Sequence, residues 1–217
     1  MVITISTILE ELRKAVLEGD DDIAADLARK ALEEGVKPSE IVNEGIAPGI
    51  EKAGELWKKN EYFHTDVILS AEAFRAAMEI VEPRFSPGDK KTIGKMIIGT
   101  VAGDMHNLGK IMVVATLRSA GFEVVNLGED VSAATFIGKV KELKPDILGI
   151  GCYMTTTMSE MKTIISQLQN NGLRNSVKVM VGGVPITQEY ADEIGADAWG
   201  KDAFDTVDKA KNLMGVE

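Results

Sequence analysis

The chain has 217 residues, 45% hydrophobic and 27% charged, which suits one large globular domain or two small ones. A net charge of −10 argues against a nucleic-acid or anionic-membrane partner. The single cysteine, Cys152, excludes an internal disulfide and fits a reducing cytoplasm, while no apolar run nears the roughly 18 residues that span a bilayer. The first residues, Met1 to Ser6, lack the basic start and long apolar core of a signal peptide, so a cytoplasmic location is expected.

Residues 1–86 carry only helical periods. Ile8, Leu9, Leu12, Val16 and Leu17 recur at three and four and predict a first helix ending at Gly19. Ile23, Ala24, Leu27, Ala28, Ala31 and Leu32 predict a second, ending at Gly35, with Asp20, Asp21 and Asp22 as its acidic start rather than a metal site. Pro38 and Ser39 open a third, which Pro48 kinks or interrupts; Gly45, Gly49 and Ala53 form a smooth stripe along it for a neighbouring helix. A fourth runs from about Thr65 to Val81 with Val67, Ala71, Phe74, Met78 and Val81 on one face. Four such helices with short connections make an antiparallel bundle. Two prolines and a glycine between Glu82 and Gly88 break the pattern and predict a linker over 87–92.

Residues 93–217 alternate. Strands are expected at Gly94–Val101, Glu123–Leu127, Asp146–Cys152, Val177–Val181 and Ala196–Trp199, with helices over 109–120, 132–143, 157–171, 187–194 and 203–214. Five such units predict a flavodoxin-like doubly wound parallel sheet of order 2-1-3-4-5. Ligands of such sheets bind at the carboxyl ends of the strands. There the chain offers Asp104-Met105-His106, Gly128, Gly151 to Thr157, Gly182-Gly183 and Trp199-Gly200, an edge rich in glycine and hydroxyls. It suits a large neutral ligand better than a bare phosphate.

Asp104 and His106 stand two apart in the turn after the first strand. A carboxylate so placed holds an imidazole by one nitrogen and leaves the other for a metal. The ordinary reading of such a pair is a tie between strand end and helix start; its place beside the topological switch point favours the functional one. His64 is the only other histidine and reads as a helix-start residue, and Cys152 reads as a small buried strand residue, so a zinc site of several side chains is not expected. One histidine suffices where a macrocycle brings the remaining ligands.

Asp104-x-His106-x-x-Gly109 resembles the cobalamin-binding signature D-x-H-x-x-G. In that family S-x-L follows at the end of the third strand, then a paired glycine. Here 41 residues lie between Gly109 and Gly151, which takes the serine position; Tyr153 takes the leucine position, and 28 residues lie between Tyr153 and Gly182-Gly183. Residues 39–84, with Gly45-Ile-Ala-Pro-Gly49 and Tyr62-Phe63, resemble the helical cap of cobalamin-dependent methionine synthase and of the small corrinoid proteins. Met154 to Met158 resembles the latter, the methyl carriers of methylotrophic methyltransferase systems.

The resemblance implies a specific site. Cobalamin binds base-off, with His106 as the axial cobalt ligand and Asp104 tuning it; these two form the catalytic pair. Met105, Asn107, Leu108 and Gly109 border the lower face. The displaced dimethylbenzimidazole tail runs past Gly151, Tyr153, Met154, Thr155, Thr156, Gly182, Gly183 and Gly200, where Tyr153 either stacks on the base or fills the tunnel. Gly151 cannot extend the Asp–His relay as serine does. Either water or a neighbouring hydroxyl replaces it, or proton control ends at Asp104, or Gly151 simply makes room for the tail. The helical domain caps the upper face, with Phe63 as a contact; Val67, Ala71 and Phe74 are lesser candidates, more simply read as bundle core.

The implied function is a methyl carrier shuttling between Co(I) and methyl-Co(III), with no turnover alone. Its partners are a substrate-specific methyltransferase, a second methyltransferase loading tetrahydrofolate or coenzyme M, and an ATP-dependent reductive activase. Methanol, methylamines, glycine betaine and aryl methyl ethers are all open as donors, with an O-demethylase system the first bacterial candidate. The alternatives are a cobalamin-dependent sensor, for which no basic recognition helix is evident; a mutase, for which no barrel fits; a phosphate-signalling receiver, which lacks the acidic cluster; and a ligand-free interaction module.

Overall fold

The computed structural model describes residues 5–84 and 92–216, so the expected linker lies outside the described residues except for Thr92. Two compact units, Met1–Lys91 and Thr92–Glu217, divide the chain.

In the first unit, α1 (Ile5–Glu18) buries Ile8, Leu9, Leu12 and Val16 of the stripe its period predicts, with Ala15 beside them, while Leu17 is half-buried. In α2 (Asp21–Glu33), Asp20 is the N-cap and its carboxylate accepts the Ile23 N–H at 3.1 Å. The acidic start is thus a helix cap. The third helical run is divided: α3 (Pro38–Glu40) passes into a π-helical segment, Ile41–Ile46, and then α4 (Ala47–Lys58). Pro48 explains the interruption. It has no N–H to give to the Glu44 carbonyl four residues back, and the chain widens so that Ala47 N–H reaches Val42 O instead. The stranded Glu44 carbonyl accepts from Arg13 Nη2 at 2.8 Å and Nε at 3.3 Å. The glycine stripe faces α1: a Cβ on Gly49 would stand 2.8 Å from the Arg13 carbonyl oxygen. Helix α5 (His64–Val81) starts one residue before the expected position, with Asp66 accepting the Phe63 N–H at 2.8 Å. It buries Val67, Ala71, Phe74, Met78 and Val81.

The second unit is a parallel sheet of β1 (Lys95–Thr100), β2 (Glu123–Asn126), β3 (Ile147–Gly151), β4 (Lys178–Gly182) and β5 (Ala198–Gly200), in the order β2-β1-β3-β4-β5. Helices α6 (Leu108–Ser119), α7 (Ala133–Leu143), α8 (Met158–Asn170), α9 (Gln188–Ile194) and α10 (Ala203–Leu213) connect and follow the strands. Past the lysines that open β1 and β4, the inner strands are almost wholly apolar because both faces are covered. Ile97, Leu148, Ile150, Val179 and Val181 pack with Phe136, Ile164 and Leu168 on one face. Met96, Ile98, Ile147 and Met180 pack with Val114, Leu117 and Ala210 on the other. Register sets the functional edge. Thr100 pairs with Gly151, Gly151 with Gly182, and Gly182 with Gly200, so the last residues of four strands form one line. Three of the four are glycine, which strips that line of side chains.

Candidate functional site at the carboxyl edge

The turn after β1 is built around Asp104. Its N–H bonds to the Val101 carbonyl at 3.2 Å, its own carbonyl accepts from Asp130 at 3.1 Å, and its side chain has no solvent exposure. Three donors meet the carboxylate. Oδ1 takes the His106 backbone N–H at 3.0 Å and His106 Nδ1 at 2.7 Å, and Oδ2 takes the Tyr153 N–H at 2.6 Å. Burial alone would raise the carboxyl pKa. The N–H bonds from Tyr153 and His106, together with the imidazole, outweigh it and hold Asp104 below the ordinary carboxylate range.

An ionised carboxylate only accepts, so the 2.7 Å contact puts a ring proton on Nδ1 and leaves Nε2 without a partner among the described residues. The His106 side chain is 61% exposed although its partner is wholly buried. One nitrogen is locked and the other faces outward, the arrangement of a metal-ligating imidazole with its orienting carboxylate. Among the described residues no group of three or more His, Cys, Asp or Glu could hold a metal ion.

Among the described residues no side-chain hydroxyl reaches Asp104; the second carboxylate oxygen is taken by the Tyr153 backbone N–H. The Tyr153 ring lies 6.2 Å from the His106 ring, tilted by 38°.

The other expected positions divide into those at the edge and one apart. Met105 is exposed, and Asn107 is the N-cap residue of α6 with no side-chain cap bond; Leu108 and Gly109 begin that helix. Met154, Thr155 and Thr156 are exposed at the start of the β3–α8 connection. Gly182 and Gly200 lie on the glycine line, and Gly183 follows it with φ +126°, where a Cβ would fall 1.7 Å from the Cys152 carbonyl oxygen. Only glycine fits there. Cys152 is buried, its Sγ 3.2 Å from the Met154 carbonyl oxygen and 3.3 Å from Thr157 Oγ1, and desolvation pushes its thiol up, which keeps it inert. Phe63 belongs to the other unit, where it is 72% exposed; Val67, Ala71 and Phe74 lie inside that unit's core. His64 begins α5 with its ring edge-on to Trp57.

Three contributions escape motif reading. Thr100, buried at the end of β1, donates Oγ1 to the His106 carbonyl at 3.2 Å and steadies the turn. Asp130, at φ +51°, accepts the Gly103 N–H at 2.7 Å and ties the β2–α7 loop to the same turn. Lys110 is buried in the first turn of α6 and pairs with Glu129 at 2.8 Å. A lysine directly after the motif glycine, and an acidic pair directly after Gly128, are the available signals, but their partners are separated by 19 to 27 residues.

A B12 binding domain matches residues 94–208, and a second type of B12 binding domain matches residues 8–82. The chain belongs to the corrinoid proteins of methyltransferase systems. A corrinoid protein of Desulfitobacterium hafniense is 42% identical over 97% of this chain and 99% of its own length. Trimethylamine corrinoid protein 2 of Methanosarcina mazei is 42% identical over 96% and 97%. Among solved structures, the methanol:cobalamin methyltransferase complex of Methanosarcina barkeri superposes with a TM-score of 0.80 at 28% identity, covering 96% of this chain and 80% of that one. A cobalamin-binding protein of D. hafniense does so with a TM-score of 0.70 at 30% identity, covering 94% and 98%. The family's cofactor is a corrinoid, and the donor set suits it: one outward-facing imidazole held by a buried carboxylate, beside an edge emptied by glycine. The described helices include none long and apolar enough to cross a membrane.

Proposed function

We propose that this chain carries a methyl group between two methyltransferases, with His106 as the axial ligand of a base-off corrinoid. The observation that carries this reading is the locked and outward-facing His106, whose Nδ1 is 2.7 Å from a fully buried carboxylate. When bound, the corrinoid's cobalt supplies the chemistry, accepting a methyl group from one substrate and yielding it to another.

The protein's own part is to place and poise the imidazole. Asp104 keeps the proton on Nδ1 and so keeps Nε2 a donor to the metal. Oδ2 is held by main chain at Tyr153, so Asp104 cannot rotate away from the imidazole. The glycine line and the rim from Gly151 to Thr156, with Gly182, Gly183 and Gly200, receive the displaced tail. Met105, Asn107, Leu108 and Gly109 would border the ring's lower face.

The names of the relatives favour a methylated amine as donor over the aryl methyl ether that composition and motif left open. The expected partners are an amine-specific methyltransferase, a second enzyme loading tetrahydrofolate or coenzyme M, and an ATP-dependent reductive activase. Residues 1–86 serve as the cap, residues 93–217 as the corrinoid domain and residues 87–92 as the linker.

Reconstitution of the full chain with hydroxocobalamin tests the ligand assignment. The wild-type visible spectrum should show the base-off, histidine-ligated form, and His106→Ala should lose that ligation completely while keeping its fold, since the ring is exposed. A variant with an unchanged spectrum refutes His106 as the ligand.

A further inference from the structure

The Tyr153 ring occupies a particular gap. A Cβ on Gly109 would stand 2.8 Å from its Cε1 and 3.0 Å from its hydroxyl; a Cβ on Gly151 would stand 3.4 Å from its Cε2 and 3.7 Å from its hydroxyl. The two edges of the ring therefore face the first turn of α6 and the end of β3, and the ring takes the volume that the two glycines leave. Its backbone is fixed by the 2.6 Å bond to Asp104, so only the side-chain torsions are free. Its hydroxyl has no hydrogen-bond partner among the described residues, so packing alone holds the ring in place.

We propose that Tyr153 is the specificity element of the lower-face channel: the phenol ring and the nucleotide tail of a corrinoid claim the same volume between Gly109 and Gly151. The inference rests on the corrinoid reading above and deepens it. Protein interiors pack too densely for two planar ring systems to share a gap sized for one. A corrinoid bearing a tail must turn Tyr153 out of the gap before the tail can seat. A corrinoid without a tail reaches His106 with the ring undisturbed. The displacement is a cost that falls on one ligand class only, and binding is weakened by the fraction of molecules whose ring is already displaced. Tyr153 thus makes this chain less selective for tailed corrinoids than a chain with a smaller residue at the same position.

The test compares two ligands that differ only in the tail. The full chain is titrated with hydroxocobalamin and with hydroxocobinamide, and binding is followed by visible absorbance. Tyr153→Leu removes the ring volume and should raise the cobalamin-to-cobinamide affinity ratio by about tenfold, through cobalamin alone. Tyr153→Phe keeps the volume and should stay within about twofold of the wild type. A ratio unchanged in the leucine variant overturns the proposal. So does a ratio that falls, since the ring would then be holding the tail, and so does a phenylalanine variant that moves with leucine. Tyr153→Met replaces the leucine variant if the latter does not unfold cooperatively. Wild-type protein that binds neither corrinoid would remove the functional reading itself, a result distinct from binding both with an unmoved ratio.

Discussion

The two ends of the parallel sheet use carboxylates in the same way and finish with different chemistry. At the amino end, Asp146 accepts the Lys95 N–H at 2.8 Å and Asp197 accepts the Val179 N–H at 2.7 Å, each pinning a loop to the start of a strand. Asp197 also pairs with Arg174 at 2.8 Å and Lys178 at 4.0 Å. At the carboxyl end Asp104 accepts main-chain N–H groups too, but its third partner is a titratable ring with a free nitrogen. The amino end has a cleft of about 340 Å³, lined by Asp146, Arg174, Lys178 and Asp197 among others. There the lining carboxylates are satisfied within the protein, and no imidazole stands beside them. What marks the carboxyl edge is a donor that the fold holds in place and leaves without a partner among the described residues.

The largest effect expected from breaking this asymmetry is at the glycines. Gly183→Ala puts a Cβ 1.7 Å from the Cys152 carbonyl oxygen at a φ of +126° and should cost about 3–5 kcal/mol by urea denaturation. Gly195→Ala, at a helix end near the opposite edge with nothing within 4 Å of its Cβ, should cost about 1 kcal/mol. Similar costs at the two positions would show that the carboxyl edge is not the tightly fitted one.

Next comes the carboxylate. Asp104→Asn has one acceptor oxygen for donors that now reach two, so a buried N–H loses its partner, at about 1–3 kcal/mol near pH 7. The pH dependence has a definite sign. The folded pKa of Asp104 is lowered, so its contribution is complete above the unfolded value of about 3.9 and fades as pH falls through the folded one. The wild-type and Asp104→Asn stabilities should therefore converge below about pH 4 in thermal melts. A gap that widens in acid contradicts the lowered pKa.

The smallest effect is expected at the amino end. Arg174→Ala removes a partly exposed partner of Asp197, a 2.7 Å bond to the Gly195 carbonyl and a long 3.4 Å one to the Val177 carbonyl, for about 1 kcal/mol. Hydroxocobalamin affinity should not change. A loss of corrinoid binding in this variant would mean that the cleft and the His106 edge act together.

Much of this arrangement is legible in one dimension. Apolar runs of five or six residues between amphipathic stretches mark β1, β3 and β4 to within a residue or two, because strands covered on both faces need nothing but apolar side chains. Asp104-x-His106 is a local motif whose two members meet because they share a turn. Pro48 is visible as a break, but not the form it takes: the π segment depends on Arg13, 31 residues away, satisfying the Glu44 carbonyl. The short β5 is shifted towards its carboxyl end, Ala198–Gly200 rather than Ala196–Trp199, because Asp197 turns its main chain and side chain to Val179.

By itself the sequence determined the two-part organisation, the sheet order and the pairing of Asp104 with His106, since periodicity, crossover handedness and a two-residue spacing are local or nearly so. Only the tertiary structure decided how Asp104 is held and what occupies the space beside His106. Those depend on the register that aligns Thr100, Gly151, Gly182 and Gly200, and on a Tyr153 N–H and ring that arrive from 49 residues away. Hydrogen bonds and packing between strands are fixed by which residues end opposite one another, and no local pattern in the chain encodes that.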